Sequence, residues 1–122
     1  MKVAGEVLVA VVALEHLLFL YLEAFLWTTP RGRGIFGTTS EQAEQSAALA
    51  KNQGLYNGFL AAALAWALIT TSDEASFEFK LYGLICVVIA AIVGALTVSR
   101  RILVVQGVPA AIGLVLVLLG GR

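Results

Sequence analysis

The sequence is short of charge, sulfur and histidine. Lys, Arg, Asp and Glu make up 13% of its 122 residues, about half the usual share of roughly a quarter. A small domain has much surface for little volume, so a soluble one needs a polar skin. Eight basic and eight acidic residues do not supply it, and a soluble monomer does not fit. The equal balance also excludes the basic footprint of a nucleic-acid-binding protein. A single Cys excludes a disulfide framework and a Cys-based metal site. One His falls short of the several His or Cys ligands that zinc usually takes. The Arg31-Gly32-Arg33-Gly34 run is too short for a phosphate loop. No metal and no cofactor is expected.

What is present is apolar. Hydrophobic residues make up 60% of the chain, and the mean hydropathy is +0.92. The expectation is an all-α integral membrane protein, a four-helix transmembrane bundle forming one domain over 1–122. Crossing a bilayer core of roughly 30 Å takes about 20 helical residues, and four stretches offer them. The first is 3–27, with Glu15 and His16 at its centre and Trp27 suited to the membrane interface. It ends without the small-residue cleavage site of a signal peptide. Thr28-Thr29-Pro30-Arg31-Gly32-Arg33-Gly34 breaks it. The second span, 52–70, extends back to about residue 39, because Thr38-Thr39-Ser40-Glu41 has the pattern of a capping box. That helix is about 45 Å long, and its polar first part reaches beyond the hydrocarbon. The third span is 77–98. The fourth, 102–119, contains Pro109, whose missing N–H predicts a kink.

Basic residues near span ends set orientation. Arg31, Arg33, Lys51, Arg100 and Arg101 fall on one side, and Lys2, Lys80 and Arg122 on the other. Five against three places the Arg-bearing turns in the cytoplasm and both termini outside, in a multi-pass protein of the cell's inner membrane.

Polar groups inside these spans are the candidate site. A charge at mid-membrane costs several kcal/mol, yet helix 1 carries Glu15, His16 and Glu23. His16 and Glu23 fall about 20° apart on the helical wheel, and Glu15 about 100° from His16. His16, with an ordinary pKa near 6.5, is a candidate proton partner. Helix 2 carries Asn52, Gln53, Tyr56 and Asn57; the last three have the i, i+3, i+4 spacing of one face. Gly54 and Gly58 allow another helix to approach closely. Gln106 on the fourth span follows the same cytoplasmic side and joins the group. Each of these residues also has a structural reading, in which neutral carboxyls and amides hold helices together by hydrogen bonds.

Several blocks resemble a known family. Leu14-Glu15-His16, Tyr21-Leu22-Glu23, Phe25 to Gly32, Phe36-Gly37, Asn52-Gln53-Gly54-Leu55-Tyr56-Asn57-Gly58-Phe59 and Gln106-Gly107-Val108-Pro109-Ala110 are similar to the small membrane proteins of domain-of-unknown-function family 1304. The resemblance covers essentially the whole chain. It implies a four-helix inner-membrane protein of this length and carries no catalytic roles. A looser likeness, of size and of a carboxylate in helix 1, is to small multidrug-resistance transporters. The adjacent Glu15-His16 pair and the Asn-Gln block depart from those.

Together these features favour binding or proton-coupled transport of a small solute. Glu15 and Glu23 would be the protonatable ligands, His16 the proton partner, and Asn52, Gln53, Tyr56, Asn57 and Gln106 neutral contacts. The alternatives are a membrane enzyme acting on an apolar or lipid-like substrate through a His16–Glu23 acid–base pair, and a structural or regulatory membrane protein. The expected partners are the lipid bilayer, a small solute or lipid-like ligand and, because four short helices enclose little space, a second copy in a homodimer; nucleic acid is not expected.

Overall fold

A computed structural model describes residues 1–121; Arg122, counted above among the basic residues of the outer side, lies outside them. The described elements are all helical: α1 (Lys2–Phe25), α2 (Pro30–Phe36), α3 (Ser40–Ile69), α4 (Asp73–Thr97), α5 (Arg100–Ile102), a π-helical turn (Leu103–Gly107) and α6 (Val108–Gly120). Among the described residues, three stretches are long and apolar enough to cross a membrane: α1, α4 and the 21 residues Arg100–Gly120. The 30-residue α3 is not among them. Its apolar part, from Leu55 to Ile69, is by itself too short for a full span; Asn52 and Gln53 precede it and Asn57 interrupts it.

Local chemistry fixes the ends of these helices. The break after α1 holds a two-turn helix that the Pro/Gly signal alone does not predict. Thr29 caps α2, its Oγ1 accepting from the Gly32 N–H at 3.2 Å and donating to the Leu26 carbonyl at 2.7 Å. Pro30 follows in the first turn, where its missing N–H costs nothing. α2 ends at Gly37, left-handed at φ 67°, and the Thr38 N–H closes back on the Arg33 carbonyl at 3.0 Å. This is the six-to-one bond of a Schellman ending. The capping box of α3 sits one residue later than the sequence pattern suggests. The Gln42 N–H donates to Thr39 Oγ1 at 3.1 Å, and Gln42 Oε1 accepts from the Thr39 N–H at 3.0 Å. Gln42, rather than Glu41, is therefore the third helical residue of the box.

α4 begins at Asp73, four residues ahead of the apolar run, because Ser72 caps it by accepting from the Ala75 N–H at 3.1 Å. Ahead of Pro109 the backbone widens. The Val108 N–H bonds to the Leu103 carbonyl, five residues back. Proline brings no N–H to the ladder, and a single wide turn is one way in which a helix absorbs such a gap.

The chain forms two compact units. One comprises residues 1–15 and 62–121. Its centre is Val9, Val12, Leu64, Leu84, Val87 and Ala91, all essentially without exposure. Gly113 brings α6 close: a Cβ there would stand 3.2 Å from Leu8 Cβ. Ile85, Ile89, Ile92, Val104 and Leu118 face outward, as expected of helices solvated by lipid rather than water. The other unit comprises residues 16–61, and it holds most of the polar side chains singled out above.

Candidate functional site

In the unit of residues 16–61, a stripe of small residues on α3 faces α1. Ala43, Ala50, Gly54, Asn57 and Ala61 fall within about 60° of one another on the wheel. Ala43, Ala50, Gly54 and Ala61 are buried and Asn57 is half-buried. Gly54 sets the separation: a Cβ there would lie 3.2 Å from Glu23 Cβ and 3.3 Å from both the Ala24 nitrogen and the Leu20 carbonyl oxygen. One turn further along, Asn57 Nδ2 donates to Glu23 Oε1 at 2.5 Å. Glu23 is only 6% exposed. A carboxyl from one helix and an amide from the next are thus joined at a point of close backbone approach.

His16 is wholly buried in the same unit and meets the Phe19 ring edge-on, with centroids 5.3 Å apart. At the other end, Trp27 Nε1 donates to Ser46 Oγ at 3.0 Å, and Ser46 Oγ donates to the Gln42 carbonyl. The Trp27 ring also packs on Phe36 of α2, with centroids 4.8 Å apart. Trp27 therefore ties α2 and α3 to the segment after α1, beyond the interface role that its position suggests.

The other candidates lie elsewhere. Gln53 and Tyr56 are exposed, and the Tyr56 ring packs edge-on against Phe59 on the outer side of α3. Asn52 is exposed beside Lys51, on the rim of a groove. The shared face of Gln53, Tyr56 and Asn57 is thus turned so that Asn57 alone reaches Glu23. Glu15 and Gln106 belong to the other unit, both half-buried. Glu15 keeps one buried carboxyl oxygen without a hydrogen-bond partner among the described residues.

That other unit also contains a charged pair not anticipated from the sequence. Lys80 is 5% exposed, and its Nζ lies 3.5 Å from Glu6 Oε1. Lys2, Thr70, Asp73 and Ser76 line the same crevice, of about 90 Å³. The sequence signal for it was present. Lys80 lies four residues before buried Leu84 and seven before buried Val87, on the inward stripe of α4. Among the described residues no group of three or more His, Cys, Asp or Glu side chains is placed to hold a metal ion.

These features define a class: a small helical protein with several membrane-length apolar helices and a buried carboxyl–amide contact on the first of them. The chain matches the family described as Protein of unknown function (DUF1304) over residues 10–118, and it belongs to that family. It is 32% identical over 117 residues to the uncharacterized protein YpaA of Lactococcus lactis subsp. lactis (strain IL1403), an alignment covering 94% of this chain and 97% of that protein. No solved structure matches it.

Proposed function

We propose that the protein is a four-span bundle of the inner membrane that binds a small cationic solute in exchange for a proton, with Glu23 as the exchanging group. The second part of α3 supplies the fourth crossing, and the last span bends at Leu103–Gly107. The observation that carries this reading is the Glu23–Asn57 contact: a carboxyl on a membrane-length helix, 6% exposed, whose hydrogen-bond partner is a neutral amide. Intramembrane ionisable groups are costly to keep and are functional by default. A carboxyl of this kind is neutralised either by its own proton or by a cation, and the two compete for the same oxygens. His16, buried in the same unit, is the proton partner. Gln53 and Tyr56, exposed on α3, are the polar groups that a second copy would cover in a homodimer. The excess of basic residues near Arg31 and Arg100 supports cytoplasmic turns and outward termini.

The test is proton release from the purified protein in weakly buffered detergent, on titration with a tetraphenylphosphonium salt. Wild type should release protons saturably, and Glu23→Gln should bind no cation and release none while retaining its fold. Absence of release from folded wild type, or equal release from Glu23→Gln, would overturn the reading.

A further inference from the structure

The unit of residues 16–61 carries a groove of about 590 Å³ between α1 and α3, on a different side of α3 from the Glu23 contact. Leu20, Ala24 and Phe25 form its α1 wall, and Lys51, Asn52 and Leu55 are among the α3 residues that line it. We infer that this groove is a binding site for one anionic glycerophospholipid, with an acyl chain between the apolar walls and the headgroup phosphate on Lys51 and Asn52. The inference is independent of proton exchange at Glu23.

Three observations converge on this occupant. The first is the groove's polarity along its length. Because Gly54 stands against Leu20, Glu23 and Ala24, the two helices are in register here. Lys51 and Asn52 therefore sit toward the Phe25 end, and Leu55 lies deeper. The second is position. α3 is polar up to Gln53 and largely apolar from Leu55, so its ammonium and amide stand at the boundary where headgroups lie. The third is charge. Lys51 is exposed and makes no ion pair among the described residues, so its ammonium is free to meet a phosphate, with Asn52 adding amide N–H donors. A lysine close to an anionic headgroup contributes about 1 kcal/mol, and basic pockets between membrane helices select such lipids for this reason. A zwitterionic lipid of the same chain length fills the walls equally well but carries no net charge for Lys51.

The experiment is native mass spectrometry of the full chain, released from micelles doped with equal amounts of phosphatidylglycerol and phosphatidylcholine of matched chains. Wild type should retain phosphatidylglycerol preferentially. Lys51→Gln, a change at an exposed side chain that leaves the packing intact, should lower that preference about fivefold. Leu55→Trp, which fills the groove from a half-exposed position, should lower retention of both lipids. Equal retention of the two lipids by wild type, or an unchanged preference in Lys51→Gln, overturns the proposal. So does unchanged retention in Leu55→Trp.

Discussion

Replacing Gly54 by Ala tests whether α1 and α3 approach as closely as the Glu23 site requires. Two effects oppose each other. Alanine is the better helix former, by roughly 0.5–1 kcal/mol. Against this, the new methyl would stand 3.2–3.3 Å from Glu23 Cβ, the Ala24 nitrogen and the Leu20 carbonyl oxygen. Two of those atoms are backbone and cannot rotate away, so one helix must shift by a few tenths of an ångström. Overpacking of this kind costs about 1–3 kcal/mol. A shift at this level also stretches the Asn57–Glu23 bond one turn away, and a hydrogen bond contributes about 0.5–1.5 kcal/mol net. The cost wins, by about 1–2 kcal/mol. Gly34 is the internal reference: it too is helical, but a Cβ there meets nothing within 4 Å. Only the propensity term then operates, and Gly34→Ala should be neutral to mildly stabilising. Both variants are compared by reversible SDS unfolding of the full chain from mixed micelles. If Gly54→Ala gains stability alongside Gly34→Ala, the close approach is wrong, and with it the geometry that joins Asn57 to Glu23.

Four further substitutions, taken in two pairs, separate charge from packing. Removing Glu6 as Glu6→Gln leaves the Lys80 ammonium buried with a weaker partner, and should destabilise by about 1–3 kcal/mol. Lys80→Met removes the buried charge itself and should be close to neutral in the same unfolding assay; equal losses for both would show that the pair contributes attraction beyond its desolvation. At Glu23, the Gln variant keeps an oxygen that can accept from Asn57 and should unfold near wild type. Glu23→Leu strands that amide and should cost about 1–3 kcal/mol, and equal stability of the two would remove the Asn57 contact as a feature of the fold.

Helix 1 was legible because one period decides it. Seven residues make nearly two full turns, so Glu23 must share a face with His16, and both are buried. The second helix of the sequence, α3, was harder, because two patterns compete there, one polar and one of small residues. Gln53, Tyr56 and Asn57 form one plausible face, and Ala43, Ala50, Gly54 and Ala61 form another, about 80° away. In a soluble protein, hydrophobic burial would distinguish them by favouring the large apolar side chains. With the second part of α3 in the bilayer, as proposed above, that driving force is absent, and close packing of small residues decides instead. The small stripe therefore faces α1. It carries Asn57 inward at its edge and leaves Gln53 and Tyr56 outside. Lys80 shows the converse. Two turns from the start of α4, it enters the sequence reading only as one basic residue in the orientation count. Its spacing to Leu84, Val87 and Ala91 places it on the buried stripe, where Glu6 meets it. In both helices the residues that pack, and not the residues that carry the charge, fix which polar group is brought inside. A search for such sites in chains of this kind therefore has to begin from the glycine and alanine periodicity, and read the ionisable groups off it afterwards.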